Sequence, residues 1–158
     1  MPYYAVPGYV NTMTTTYRSA ATVTAPVTGP NKRCKVFELI IGATMAPNST
    51  DCAFEVDLSR VTATGTGAGT SWTSTVMDPA DSAATSTAVI AYTTEPQTVV
   101  ANSTLYKIGM NQRATVRWIA AQESQYLVNT SSSGSGFVLR ALSAAFATSM
   151  GGQISFME

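Results

Sequence analysis

Apolar and polar residues alternate with a period of two between Phe54 and Ser59. Phe54, Val56 and Leu58 are apolar, and the residues after each of them are polar or charged. Successive side chains of a β-strand point to opposite faces, so the alternation predicts a strand with one face in a core and one in water. This is the clearest half-buried strand in the sequence.

Other short segments carry strand patterns and are separated by Gly, Pro, Asn and Ser turn residues. Besides 54–59 they are 35–41, 88–93, 103–110, 113–120, 125–128, 136–141 and 153–157. No helical pattern alternates with them, which predicts an all-β sandwich of about eight strands with jelly-roll or Greek-key connections. The Gly/Thr/Ser/Ala-rich stretch 62–87 predicts a long surface loop or a short crossover between sheets.

One segment stays open between two structures. Its apolar residues also fit a helical spacing: Val138, Leu139, Leu142, Ala145 and Phe146. Residues 138–148 are therefore expected to form either a strand or a short helix.

Residues 1–32 are predicted to form an extended N-terminal arm, and residues 33–158 the sandwich domain. Four prolines interrupt the arm, and its Thr-rich run 12–16 favours no helix. The arm carries Tyr3, Tyr4, Tyr9 and Tyr17. Tyrosines on such a segment suit a groove on another subunit, while an arm folded back on its own sheet is an equal alternative.

The charge content favours assembly over nucleic-acid or membrane binding. Only 11% of the 158 residues are charged, with nine cationic and nine anionic side chains. Neutral polar surface costs far less to desolvate than charge, so it is readily buried against a partner. Balanced charge gives no general attraction to nucleic acid, and no segment has the length and apolar character of a membrane span or secretory leader. The chain is expected to be made and kept soluble in a cytoplasm.

The absence of histidine removes the commonest general base and the commonest zinc ligand. Glu55 and Asp57 share a strand face, where solvation is favoured over cation binding or acid–base catalysis. Asp78 and Asp81 are better explained by a turn than by calcium. The segment 65–69 is better explained by a flexible loop than by phosphate binding. No catalytic residue, metal or cofactor is predicted.

Several other side chains are candidates for contacts. Arg113 and Arg117 flank a strand on which Trp118 is expected to anchor the core, and each arginine could contact a neighbouring subunit or simply face solvent. Trp72, in the long loop, is a candidate stacking platform for a ligand. Cys34 and Cys52 are expected to be two reduced, buried thiols.

Three segments occur in a definite order and spacing. They are Phe37-Glu38-Leu39-Ile40-Ile41-Gly42-Ala43, Asp78-Pro79-Ala80-Asp81 and Asn111-Gln112-Arg113-Ala114-Thr115-Val116-Arg117-Trp118, followed by a terminal strand with Ile154-Ser155-Phe156. Through these segments the chain resembles the head decoration or capsid cement proteins of tailed phages, which are small virion proteins with jelly-roll-like folds. The resemblance covers about residues 34–158. The third segment is the most specific of the three.

The resemblance implies a structural role without catalysis. Such proteins form trimers or related clusters on the major capsid lattice and clamp adjacent capsid subunits. The expected partners are thus the major capsid protein and further copies of this chain, which are expected to form a homotrimer. The expected location is the phage head surface.

Two alternatives use the same architecture. The first is a receptor- or glycan-binding module of a phage tail or fibre, in which Trp72 would stack on the ligand. The second is a tail-tube or connector subunit.

Overall fold

The structure, a computed structural model, describes residues 1–10, 12–26, 33–63, 67–96, 99–122, 134–143 and 148–158, and the backbone of 127–128. Twelve β-strands form within these residues. They are β1 (Tyr3–Val10), β2 (Arg18–Thr24), β3 (Lys35–Ala43), β4 (Ala53–Val61), β5 (Thr70–Trp72), β6 (Thr75–Val76), β7 (Thr87–Ile90), β8 (Val99–Asn111), β9 (Thr115–Ile119), β10 (Leu127–Val128), β11 (Gly136–Leu142) and β12 (Met150–Met157). The described part of the chain contains no helix that could span a lipid bilayer.

The strands form two six-stranded antiparallel sheets. Sheet A has the order β10-β3-β12-β1-β6, with β9 pairing along the same edge of β3 as β10. Sheet B has the order β5-β7-β2-β11-β4-β8. The pairs β1 with β12, β2 with β11, β3 with β9 and β4 with β8 are nested along the chain. This nesting is the jelly-roll arrangement, so the predicted all-β sandwich is confirmed.

The core lies between the inner faces of the two sheets. Sheet A contributes Tyr4, Val6, Leu39, Ile41, Ile154 and Phe156, and sheet B contributes Val23, Val56, Leu58, Phe137 and Leu139. These residues recur at every second position of their strands, as required when one face of each sheet packs on the other. The alternation in 54–59 therefore predicted correctly which side of β4 faces the core.

The expected N-terminal arm is wrong, because residues 3–10 and 18–24 are inner strands of the sandwich. The strand β1 pairs with β12 along its full length, and β2 lies between β7 and β11. Pro7 is compatible with a strand here because β6 pairs only with Tyr4 and Ala5, which leaves Pro7 beyond it at an edge. The described parts of 1–32 therefore belong to the same sandwich as the rest of the chain.

Two other local expectations are revised. The stretch 62–87 is not only a loop, because β5 and β6 form short strands within it; residues 64–66 lie outside the described residues. Of the two structures left open for residues 138–148, the structure shows a strand as far as Leu142. There β11 ends, and it pairs with β2 on one side and β4 on the other. Ala145 and Phe146 lie outside the described residues.

Neither cysteine forms a disulfide, as expected, although only Cys34 is fully buried and Cys52 is half-buried. Burial raises the pKa of the Cys34 thiol to about 12. Because the thiolate is the reactive species, a thiol reagent is expected to modify Cys52 in the folded protein much faster than Cys34. Mass spectrometry of the labelled protein measures both rates.

The control for this labelling is a Cys52→Ser variant, which should stay unmodified when folded and take up one label after denaturation. Equal labelling rates at the two native cysteines would contradict the expected protection of Cys34.

Candidate functional surface

The residues first considered for catalysis or metal binding have structural roles. The Asp78 carboxylate accepts a hydrogen bond from the Ala80 amide at 2.9 Å, and the Asp81 amide donates to the Asp78 carbonyl, which confirms the expected turn. A side chain on Gly67 would collide with the backbone of Thr94, so this glycine serves close packing. Within the described residues, no three His, Cys, Asp or Glu side chains gather as metal ligands would.

A cleft of about 190 Å³ lies where β1 ends and β2 begins, lined by Val10, Thr12, Arg18, Tyr92 and Thr93. The Arg18 guanidinium donates to the Thr93 carbonyl at 3.1 Å and lies 3.4 Å from Glu95. Pockets for small ligands are typically about 300–1,000 Å³. The cleft is smaller than that, and the charged side chain that lines it, Arg18, already contacts Thr93 and Glu95.

The outward side of sheet A is a broad surface, which we call face A. It consists of Tyr3, Ala5, Pro7 and Tyr9 on β1, Lys35, Phe37, Glu38 and Ile40 on β3, Thr115, Arg117 and Ile119 on β9, Gln153, Ser155 and Met157 on β12, and Thr75 and Met77 at β6. The register of the strands places these side chains in rows across the sheet, opposite the core.

Large apolar side chains are concentrated on face A. Of the eight exposed ones in the described residues, four lie there: Tyr3, Tyr9, Met77 and Ile119. The rings of Tyr3 and Phe37 meet edge to face at 5.5 Å, and Met157, on the strand between theirs, is only 4% exposed. A cluster of this kind on one surface is typical of an interaction site.

A polar strip crosses the middle of face A. The Arg117 Nε donates to Glu38 Oε1 at 2.6 Å, and the Ser155 hydroxyl donates to Glu38 Oε2 at 3.0 Å. Gln153 in turn donates to the Ser155 hydroxyl at 2.9 Å. The Glu38 side chain is 10% exposed and that of Arg117 63%. The centre of the face therefore holds a cation and an anion as a pair and has no net charge.

The outward side of sheet B, which we call face B, carries a buried charge network around Asp57. Asp57 accepts hydrogen bonds from Arg140 Nη2 at 2.8 Å, from the Ser59 hydroxyl at 2.7 Å and from the Thr104 hydroxyl at 2.6 Å. The expectation that this side of β4 is solvated is wrong at Asp57, whose side chain is 2% exposed. The reason is that β4 lies between β11 and β8, whose side chains enclose the carboxylate.

Tyr17 joins this network to Glu55. Its ring lies 4.4 Å from the Arg140 guanidinium carbon, its hydroxyl donates to Glu55, and Lys107 Nζ lies 2.9 Å from the same carboxylate. Tyr17 is thus held within its own subunit. Face B consists largely of polar groups that satisfy one another.

A Glu55→Gln substitution is expected to make stability less sensitive to acid. The hydrogen bond from Tyr17, and then that from Lys107, hold the pKa of Glu55 below its ordinary value. The unfolded state therefore binds the proton first, so this stabilisation is complete above the ordinary glutamate pKa of about 4.3. It is lost as the pH falls through the lower pKa of the folded state. Free energies of unfolding at neutral and acidic pH measure the difference.

A Tyr17→Phe variant removes the first of these hydrogen bonds. It should therefore also reduce the loss of stability between neutral and acidic pH. In strong acid Glu55 is protonated in both the folded and the unfolded state. The free energy of unfolding should then change with pH equally in the wild type and both variants. A Glu55→Gln curve parallel to that of the wild type throughout would contradict the expected role of Glu55.

The structure separates the residues that the sequence suggested for an interface. Tyr3, Tyr9 and Arg117 lie together on face A, whereas Tyr4 is fully buried, with its hydroxyl donating to the Ser82 carbonyl at 3.0 Å. Tyr4 is therefore a core residue, because the face of β1 that carries it points inward. Tyr17 belongs to face B.

The remaining candidates lie elsewhere. Arg113, near the turn between β8 and β9, lies 3.3 Å from Asp51, and both side chains are mostly exposed. Trp72 is 41% exposed on β5, at the edge of sheet B. Trp118 packs against the core from the side of the sandwich, with its ring 5.8 Å from that of Tyr106.

Sequence reasoning missed most of the apolar members of face A. The period of two in the strand 113–120 predicts that Ile119 shares a face with Thr115 and Arg117, opposite Trp118, and the structure exposes all three. An isoleucine on an otherwise polar strand face was the available signal. Phe37 and Ile40 gave no such signal, because they lie in a continuous apolar run.

Comparisons with protein-family models, with curated proteins and with solved structures return no match to this chain.

Proposed function

We propose that this chain is a virion structural protein, a capsid decoration or cement subunit that binds the major capsid lattice and stabilises the phage head. It acts by contact and carries out no catalytic step. Several copies act together as a homo-oligomer, for which a trimer is expected. The proposal keeps the function that the sequence resemblance implies.

The observation that supports it is the partly apolar surface of face A, whose central charges form a pair. Its central charges, Glu38 and Arg117, neutralise each other, and Tyr3, Tyr9 and Ile119 are exposed around them. Neutral and apolar surface is favourably removed from water, whereas unpaired charge is not. A jelly roll with such a surface is suited to many repeated contacts, in which weak individual affinities add up to lasting attachment.

The test is binding to expanded phage heads assembled without this protein. We expect saturable co-sedimentation with a fixed number of copies per head, and decorated heads that withstand higher temperature than bare ones. Unexpanded heads of the same phage are the control, since their lattice presents different contacts. Failure to bind expanded heads at any concentration would contradict the proposal.

One observation favours a second candidate, a glycan-binding module of a tail or fibre. Trp72 is exposed on an edge strand, where an indole ring can stack on a sugar. A glycan array would then give a signal that Trp72→Ala abolishes and that Ile119→Ala, an exposed apolar residue on face A, leaves unchanged. Absence of signal for the wild-type protein would exclude this candidate.

A further inference from the structure

Face A is a broad outward surface, and its partner can be argued from its chemistry. We infer that face A is where copies of this chain contact one another, so that the occupant of the surface is a second copy of the same chain. The inference rests on the proposed function as an assembling subunit and adds the surface and the partner.

The first step is the distribution of apolar groups. Tyr3 is 44% exposed, Tyr9 40% and Ile119 51%, and they lie on the two strands that bound the middle of sheet A. The side chains between them belong to Pro7, Ile40 and the polar strip. Rigid aromatic and branched apolar side chains around a satisfied polar centre are characteristic of contact surfaces between proteins.

The second step is charge, which selects the partner. Association between different proteins is usually guided by complementary charge patterns. The centre of face A offers no such pattern, because Glu38 is held by Arg117 and Ser155. Two copies of this centre can meet without opposing like charges, since each carries its cation and anion as a pair. A second copy is therefore the partner that fits best.

The third step is area. The five neighbouring strands have 5, 9, 8, 8 and 2 residues from β9 to β6. At about 3.4 Å per residue and about 4.8 Å between strands, they give face A a footprint of roughly 520 Å². A stable protein contact buries about 800 Å² on each partner. The footprint of a flat projection understates the accessible area of protruding side chains, so face A approaches the size of such a contact.

The experiment places lysine on the face at Tyr9→Lys and Ile119→Lys, singly and together. Both side chains are exposed, so the folded subunit can accommodate lysine at either position. Val100→Lys and Met45→Lys are the matched controls, being exposed apolar positions away from face A. Sedimentation velocity over a wide concentration range measures mass, and circular dichroism confirms that each variant is folded.

We expect a wild-type mass that is a multiple of 16.6 kDa. The double variant should associate about a hundredfold more weakly, because a buried unpaired charge opposes contact. The controls should match the wild type. An oligomer that the face A variants leave intact would overturn the inference without touching the proposed function.

A wild-type protein that is monomeric at all concentrations would also overturn the inference. Binding of that monomer to expanded heads would then decide the proposed function separately. If either single variant fails to fold, the other, on a different strand, still tests the face.

Discussion

An Arg140→Ala substitution is expected to lower the free energy of unfolding by about 3–5 kcal/mol, because it leaves the Asp57 carboxylate buried without its cation. The side chains of Arg140 and Asp57 are 17% and 2% exposed, so the carboxylate depends on this pair rather than on solvent. The guanidinium also covers the ring of Tyr17. Denaturant unfolding at one fixed protein concentration measures the loss, which corresponds to a melting temperature lower by roughly 10 °C.

The matched control is Arg113→Ala. Arg113 and Asp51 also form an ion pair, but their side chains are 54% and 75% exposed. Exposed pairs contribute about 0–1 kcal/mol, so this variant should be nearly as stable as the wild type. Adding Asp57→Asn to Arg140→Ala should recover part of the loss, since the uncompensated charge is then gone. Equal effects of the two arginine substitutions would show that Asp57 is not dependent on Arg140.

The sequence predicted much of this fold because side-chain periodicity is a local property. The alternation in 54–59 identified β4 and its core side, and the turn residues correctly separated β8, β9 and β11. The first two strands were not recognised, because prolines and threonines suggested an arm. Their position depends on pairing with β12 and β11, which lie more than a hundred residues away in the chain. Local sequence patterns give no information about such distant partners.

The candidate surface was less predictable than the fold, for the same reason. Tyr3 and Tyr9 were identified as contact residues, but Tyr4, next to one of them, is in the core. Only the strand assignment of 3–10 separates them, since it sends alternate residues to opposite faces. The burial of Asp57 likewise depends on Arg140, which lies opposite it only because β11 pairs with β4.

A Gly136→Ala substitution tests how closely the strands of sheet B approach one another. An added Cβ at residue 136 would lie 1.9 Å from the Val23 carbonyl oxygen and 2.6 Å from the Thr24 Cα. Both atoms belong to the backbone of β2, a strand held on both sides, so they cannot move away without breaking the ladder. We expect a loss of about 3 kcal/mol, at the upper end of typical overpacking effects.

Gly109→Ala is the matched control for this substitution, because the same change on β8 adds a Cβ with nothing within 4 Å of it. Alanine restricts the unfolded chain more than glycine does, so this variant should be equally stable or more stable by about 0.5 kcal/mol. Thermal unfolding of the two variants and the wild type measures the contrast. If both glycine substitutions had the same effect, the loss would come from strand propensity, and the close approach of β2 to β11 at Gly136 would not limit stability.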